Sequence, residues 1–342
     1  MFYYASDKSL FHSKIAAVEH AQLTNTNLWY YYHDDIYKTI DWKTEPTESL
    51  AQLYKEQALR LREKYEYLVL FYSGGYDSTN ILETFYYNNI KIDKIVVVGA
   101  INQDAFSGDD SNRNGELYAN AYPYLDKLGL TAITQLVDYS TYFDRIENFS
   151  MSQYGDDWVH YTGSWFSPHH WFWRDVEKFV IPGSMGSKRT GMIFGRDKPH
   201  LGPRDTFVFS DTVLNAYGNV SSTSYSDRIN FYWDPTFPQI LIKQLHTIKR
   251  VRDAVGMECM GNQQNQIFGN IDTNGIVYNL KQPLLYKSPK SRSVLLSGRD
   301  SFLLKSTTSP IHQRYVAGLH TISKKCSVVV QHRINSREYA IT

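Results

Sequence analysis

Cysteine is nearly absent from this chain: Cys259 and Cys326 are the only two among 342 residues. With no C-x-x-C pair, a disulfide framework, a thiolate zinc site and a cysteine-held iron–sulfur cluster are all disfavoured. Long hydrophobic runs are missing too, and none approaches the length of a bilayer span. The stretch from Met1 to Lys8 lacks the basic-then-apolar order of a secretory signal, so the glycosylation-type triplets at Asn148 and Asn219 carry no weight. A cytoplasmic protein with no membrane partner is expected. Charge of one sign is also lacking, because 36 Lys and Arg face 35 Asp and Glu for a net charge of +1. No global field then draws the chain to nucleic acid, which argues against a general polyanion binder while leaving room for local basic patches. What the chain has in plenty is aromatic residues, 15% of the total with 27 Tyr and 7 Trp. Such rings fill cores and line part-exposed pockets alike.

Hydrophobic periodicity divides the chain into three stretches. Residues 1–46, with a short helical pattern over 14–22 and an aromatic, acidic stretch over 29–42, read as an N-terminal extension packed on the main domain. Residues 47–210 carry an α/β pattern. An amphipathic helix over 47–65 places Leu50, Leu53, Tyr54, Ala58, Leu61 and Tyr65 on one face. A buried strand follows over 67–72, then a glycine turn and a helix over 77–87 with Ile81, Leu82, Phe85 and Tyr86 on one face. A second buried strand is expected over 94–99. After a polar loop (102–114) come a helix around 117–128, bent or interrupted at Pro123 and stopped by Gly129, and a third strand over 131–137. Residues 191–195 read as a fourth strand and 206–210 as a fifth. Alternating strands and helices imply a doubly wound parallel sheet with helices on its faces. Residues 211–342 form a C-terminal region, expected to pack on the main domain and to contribute to its site; a helix over 238–255 is its clear feature. Residues 139–180, rich in Trp and His, follow no pattern, and His169–His170 lack a third ligand at metal-binding spacing.

The stretch that carries chemistry is Ser73, Gly74, Gly75, Tyr76, Asp77 and Ser78, between the first strand and its helix. A doubly wound sheet binds ligands in the crevice at the carboxyl ends of its strands. The two glycines allow a sharp turn and close approach to a phosphate. Amides at the helix start, aided by the helix dipole, favour an anion there. The Ser73 and Ser78 hydroxyls can donate to phosphate oxygens, whereas Asp77 suits a phosphate site when a divalent cation lies between them.

This hexapeptide resembles the S-G-G-x-D-S signature of the PP-loop ATP pyrophosphatases. That group includes asparagine synthetases, GMP synthetases, NAD synthetases, queuosine-precursor synthases and several tRNA-modifying enzymes. The resemblance spans residues 65–199, and the hexapeptide is its sharp part. It implies a five-stranded parallel sheet of the adenine nucleotide alpha hydrolase type, Mg²⁺ and ATP as cofactors, and cleavage between the α- and β-phosphates with the loop gripping the pyrophosphate. It also implies that the main domain binds ATP. The Walker A pattern is absent. Related synthetases carry a second loop after the fourth strand. Here that place holds Gly195, Arg196, Asp197 and Lys198: Asp197 as a further metal ligand, Arg196 and Lys198 to neutralise charge on the leaving pyrophosphate. Lys198 stands where asparagine synthetases have a Glu, a departure at that second ligand position. Gly99, ending the second strand, fits where the superfamily rests adenine against backbone.

The expected activity is that of an AMP-forming ligase of the asparagine synthase-like kind. ATP would adenylate a carboxylate or amide-type oxygen of a small-molecule acceptor, and a nitrogen nucleophile would displace AMP. Those synthetases carry a catalytic cysteine at the mature N-terminus within a glutaminase domain. Here position 2 is Phe2, and the stretch before the loop is too short for that domain. The nitrogen donor would then be ammonia, an amine, or a separate amidotransferase partner. The alternatives are a PP-loop enzyme that modifies a nucleoside or tRNA base, and a non-catalytic nucleotide-binding module.

Overall fold

The computed structural model describes residues 2–11, 14–99, 117–138, 180–181, 189–195, 199, 201, 203–209, 226–255, 336 and 338–341. Several sequence expectations fall outside them: the 102–114 loop, almost all of 139–180 with its His pair, residues 196–198, and most of the tail.

The chain opens with strands β1 (Phe2–Ala5) and β2 (Leu10–Phe11), helix α1 (Lys14–Thr24), strand β3 (Leu28–Tyr31) and the short helix α2 (Asp34–Tyr37). The strands form an antiparallel sheet in the order β2–β1–β3. Of these elements only α1 was expected. The strands escape a periodicity search because Phe2, Tyr3 and Tyr4, like Trp29, Tyr30 and Tyr31, are aromatic on both faces and show no alternation. Tyr3 and Tyr30 turn inward with Ala17 and Val18 of α1 and join the same core as the main sheet. The Tyr32 and Tyr37 hydroxyls reach across to donate to the Trp233 carbonyl at 3.0 and 3.1 Å.

Helix α3 (Leu50–Lys64) starts at Ser49, whose hydroxyl accepts from the Gln52 amide while the Gln52 side chain accepts from the Ser49 amide. Such a reciprocal cap stabilises a helix start by about 1 kcal/mol. Its apolar stripe buries Leu53, Tyr54, Ala58 and Leu61 as the spacing predicts. Strand β4 (Tyr67–Phe71) is buried along its whole length, which marks it as central. Helix α4 (Tyr76–Tyr87) and strand β5 (Lys94–Gly99) follow. Ile81, Leu82 and Phe85 of α4 are buried, but Tyr86 lies at the edge of that face and is exposed. A π-helical turn (Leu117–Ala121) leads into α5 (Tyr122–Lys127), so the chain changes helical geometry just ahead of Pro123, and Gly129 ends the segment with a left-handed φ of 69°.

Strands β6 (Thr134–Asp138) and β7 (Thr190–Phe194) are the third and fourth expected strands. The fifth differs. Residues Thr206–Phe207 form a short strand, β8, outside the main sheet, where it pairs antiparallel with the last strand, Tyr339–Ala340. The fifth parallel strand is β9 (Ser226–Asn230), which comes from residues beyond 210. Its Ser-Asp-Arg-Ile-Asn sequence offers one apolar side chain, Ile229, to the core. An edge strand needs no more, and so it leaves no hydrophobic run to detect. Helix α6 (Gln239–Val255) then packs Ile240, Leu241, Leu245 and Ile248 inward, and the final strand becomes β10.

The main sheet is five-stranded and parallel throughout, in the order β6–β5–β4–β7–β9, with helices packed against it. The chain starts at the central strand, moves outward through β5 and β6, then crosses back to β7 on the other side of β4. Strand order therefore reverses between β4 and β7, and in doubly wound sheets ligands bind at the carboxyl ends of strands at such a switch point. Leu68, Leu70, Ile95, Val97 and Ile193 face the helical core, together with Ile81, Leu82 and Phe85 of α4. The alternate residues Val69, Phe71, Val96, Met192 and Phe194 are buried as well, so the sheet is covered on both faces, as a parallel sheet must be.

Candidate functional site

The hexapeptide lies at the reversal of strand order, just beyond the end of β4. Its floor is firm. Phe71 and Phe194, paired in register at the ends of β4 and β7, stack their rings 4.4 Å apart and 12° from parallel. Tyr72 extends the pairing through its amide to the Val96 carbonyl at 2.8 Å, and its hydroxyl meets Thr79 Oγ1 at 3.2 Å.

Gly74 has a φ of +82°, a left-handed conformation that disfavours any side chain, and a Cβ there would lie 2.9 Å from the Ala121 amide nitrogen. The loop therefore runs hard against the π-helical turn before α5. Gly75 is the N-cap of α4, in extended conformation, with no side-chain cap on the helix start. Gly195 closes the other side: a Cβ there would sit 2.8 Å from the Ser78 nitrogen and 3.0 Å from the Asp77 carbonyl carbon. Two glycines without side chains thus let neighbouring backbone approach the loop from both flanks.

Inside the loop the serines divide their work. Ser78 is buried; its hydroxyl accepts from the Ser73 amide at 3.2 Å and donates to the Gly75 carbonyl at 3.3 Å. Ser73 is exposed, accepts from the Gly75 amide at 3.3 Å and pairs with the Ser78 hydroxyl at 3.1 Å. Ser78, expected as a phosphate donor, braces the turn, and Ser73 is the hydroxyl turned to solvent. Tyr76 and Asp77 are half-exposed. Gly99 is buried at the end of β5, beside β4 and opposite Asp138. The structure thus brings Ser73 to Ser78 and Gly195 together, with Gly99 one strand away. Arg196, Asp197 and Lys198 lie outside the described residues.

Residues that sequence reasoning missed also shape the site. Ala121 abuts Gly74, and Tyr232 donates its hydroxyl to the Asp77 carbonyl at 2.8 Å. Neither belongs to a motif, because each acts through a contact made only in the folded chain. Away from the loop, Lys243 and His246 of α6 hold the 42–46 segment: Lys243 donates to the Pro46 carbonyl at 2.8 Å and pairs with Glu45, and His246 Nε2 lies 2.9 Å from the Trp42 carbonyl.

A cavity of about 550 Å³ lies elsewhere, lined by Leu82, Phe85, Ile90, Ile92, Leu130 and Ile133 at the far end of α4. A helix of that length spans about 18 Å, so this space, which Asn89 and Lys91 also line, is remote from the loop. Among the described residues no cluster of three or more His, Cys, Asp or Glu is placed to hold a metal ion, and no helix is long and apolar enough to cross a membrane.

Fold and loop together define an α/β protein with a glycine turn at the switch point of a five-stranded parallel sheet. No protein-family model matches the chain, and no curated protein sequence matches it.

Proposed function

We propose that this chain is a PP-loop ATP pyrophosphatase acting as an AMP-forming ligase of the asparagine synthase-like kind. The observation that carries the reading is the coincidence of the Ser73–Ser78 hexapeptide with the reversal of strand order between β4 and β7. Ligands of doubly wound sheets bind at that point, and the loop there is partly open to solvent rather than packed away.

In this reading Ser73 and the amides at the start of α4 hold the β- and γ-phosphates of ATP. Several such charge-assisted bonds, each contributing roughly 1.5–3 kcal/mol, would suffice to fix a pyrophosphate group. Asp77, with Asp197, is suited to hold Mg²⁺ beside those phosphates; one or two carboxylates plus phosphate oxygens are ordinary ligands for that ion. When bound, the ion would neutralise charge on the leaving group. Arg196 and Lys198 serve the same neutralisation. An acceptor oxygen attacks the α-phosphorus as its bond to the bridging oxygen breaks, which releases pyrophosphate. A nitrogen nucleophile then displaces AMP from the activated acceptor. The chain's contribution is orientation and charge placement, with no covalent protein intermediate.

The test is product analysis with Mg²⁺–ATP, ammonium and a panel of carboxylate and amide acceptors. AMP and pyrophosphate in equal amounts support the reading, and ADP contradicts it. Turnover confined to nucleoside or tRNA acceptors would move the chain to the base-modifying enzymes. Asp77→Asn is expected to abolish turnover without loss of the cooperative melting transition; unchanged turnover would remove Asp77 from the mechanism.

A further inference from the structure

The start of α4 is held by a residue that follows the edge strand β9, two strands from β4. Tyr232 follows β9 and is almost completely buried, at 1% exposure. Its hydroxyl donates to the Asp77 carbonyl at 2.8 Å and accepts from Asn80 Nδ2 at 2.9 Å. One hydroxyl thereby links two positions on successive turns of the helix that begins at the phosphate loop. Asn80 is buried as well. The Tyr232 ring is fixed edge-on against Tyr54 of α3, with centroids 5.6 Å apart and planes at 76°.

The turn bearing Tyr232 is itself anchored. The Trp233 amide bonds to the Asn230 carbonyl at 3.0 Å, and the Trp233 carbonyl accepts from both Tyr32 and Tyr37. A buried path of hydrogen bonds and packed rings therefore runs from the N-terminal segment, through the turn after β9, to the first turn of α4.

We propose that Tyr232 is the positioning residue of the phosphate loop. By holding the Asp77 carbonyl it fixes the orientation of the first turn of α4, and with it the aim of that turn's amides at the terminal phosphates. This role rests on the pyrophosphatase reading above. In this role Tyr232 acts through the Asp77 carbonyl. Its influence falls on the pyrophosphate end of the nucleotide and leaves the adenosine end unaffected. Charge-assisted hydrogen bonds weaken steeply with misalignment, so a small reorientation of the turn suffices.

Isothermal titration of the full chain with Mg²⁺–pyrophosphate, and separately with AMP, tests this. Tyr232→Phe removes only the hydroxyl. It is expected to weaken pyrophosphate binding at least tenfold while AMP affinity stays within about twofold. Asn80→Ala provides the comparison, since it disturbs the same buried cluster but leaves the Tyr232–Asp77 bond in place. It should lower the melting temperature and retain pyrophosphate affinity. Equal pyrophosphate affinity in Tyr232→Phe and wild type, parallel loss of both ligands, or equal damage from Asn80→Ala would overturn the positioning role. Wild-type chain that binds no pyrophosphate would remove the functional reading and this role with it, a result separate from those three.

Discussion

A methyl group added at Gly195 would meet backbone on the far side of the crevice. Its Cβ would lie 2.8 Å from the Ser78 nitrogen, 3.0 Å from the Asp77 carbonyl carbon and 3.1 Å from Ser78 Cα. Ordinary contact begins at 3.4 Å, so the shortfall at the closest atom (3.4 minus 2.8) is 0.6 Å. No flexible side-chain end is there to absorb it; either the end of β7 or the start of α4 must move. Overpacking of this sort costs about 1–3 kcal/mol of stability. The functional cost is larger in proportion. Binding groups must be held to within about 0.5 Å to be productive, and a misplacement of about 1 Å can cost on the order of 100-fold. Gly195→Ala is therefore expected to bind Mg²⁺–ATP about 10- to 100-fold more weakly than wild type, by titration calorimetry. Gly129→Ala is the control, because Gly129 also has a left-handed φ but a methyl group placed there would meet nothing within 4 Å. It should lose roughly 1–2 kcal/mol of stability and no affinity. A folded Gly195→Ala with wild-type affinity would refute the claim that β7 and α4 form one site.

Gly74→Ala combines a left-handed φ with a Cβ 2.9 Å from the Ala121 nitrogen. The conformation costs roughly 1–2 kcal/mol and the crowding adds to it, so this variant should lose both stability and nucleotide binding in denaturant and titration assays; retention of both would mean the turn is softer than its contacts imply. Asp93 gives a prediction about pH. Burial pushes its carboxyl up, but Lys91 at 2.8 Å, Arg62 at 2.5 Å and the Leu68 amide at 2.8 Å outweigh this and hold it below the ordinary carboxylate range. Its stabilisation is thus fully present above the unfolded value of about 3.9 and lost as pH falls through the lower folded value. Asp93→Asn should cost about 2–3 kcal/mol at pH 7 by urea unfolding, a gap that narrows below about pH 4; an equal gap at pH 7 and pH 3 would contradict the charge-based account.

Much of the sheet was legible because its inner strands are dominated by apolar residues. The run at Tyr67–Phe71 and the Lys94–Gly99 strand could not be mistaken for surface, and the glycine turn between β4 and α4 announced itself by composition. The spacing in α3 and α6 was equally plain. Legibility failed where tertiary contact replaces pattern. Ser226–Asn230 forms an edge strand on the strength of Ile229 and its pairing with β7, whereas the more apolar residues 206–210 supply β8, which pairs with Tyr339–Ala340 and leaves Phe207 and Phe209 in an aromatic cluster with Trp42 and Trp233. At the site, the hexapeptide gave the place but not its supports. Ala121 and Tyr232 lie roughly 50 and 150 residues beyond the loop, at distances over which sequence spacing carries no information about contact. The inward turn of Ser78 was hidden for a different reason: a serine beside a glycine turn can serve a ligand or its own backbone, and only the folded loop decides.

If the chain is a pyrophosphatase of this kind, the turn from Ser73 to Ser78 grips two linked phosphates. Glycine-selective ¹⁵N labelling reads this directly, since the amides of Gly74, Gly75 and Gly195 surround the turn while Gly129 lies at the end of α5, away from it. On titration with Mg²⁺ and inorganic pyrophosphate, the first three resonances should shift together along one saturating curve and that of Gly129 should stay fixed. Stationary Gly74, Gly75 and Gly195 signals at saturating pyrophosphate would contradict the account.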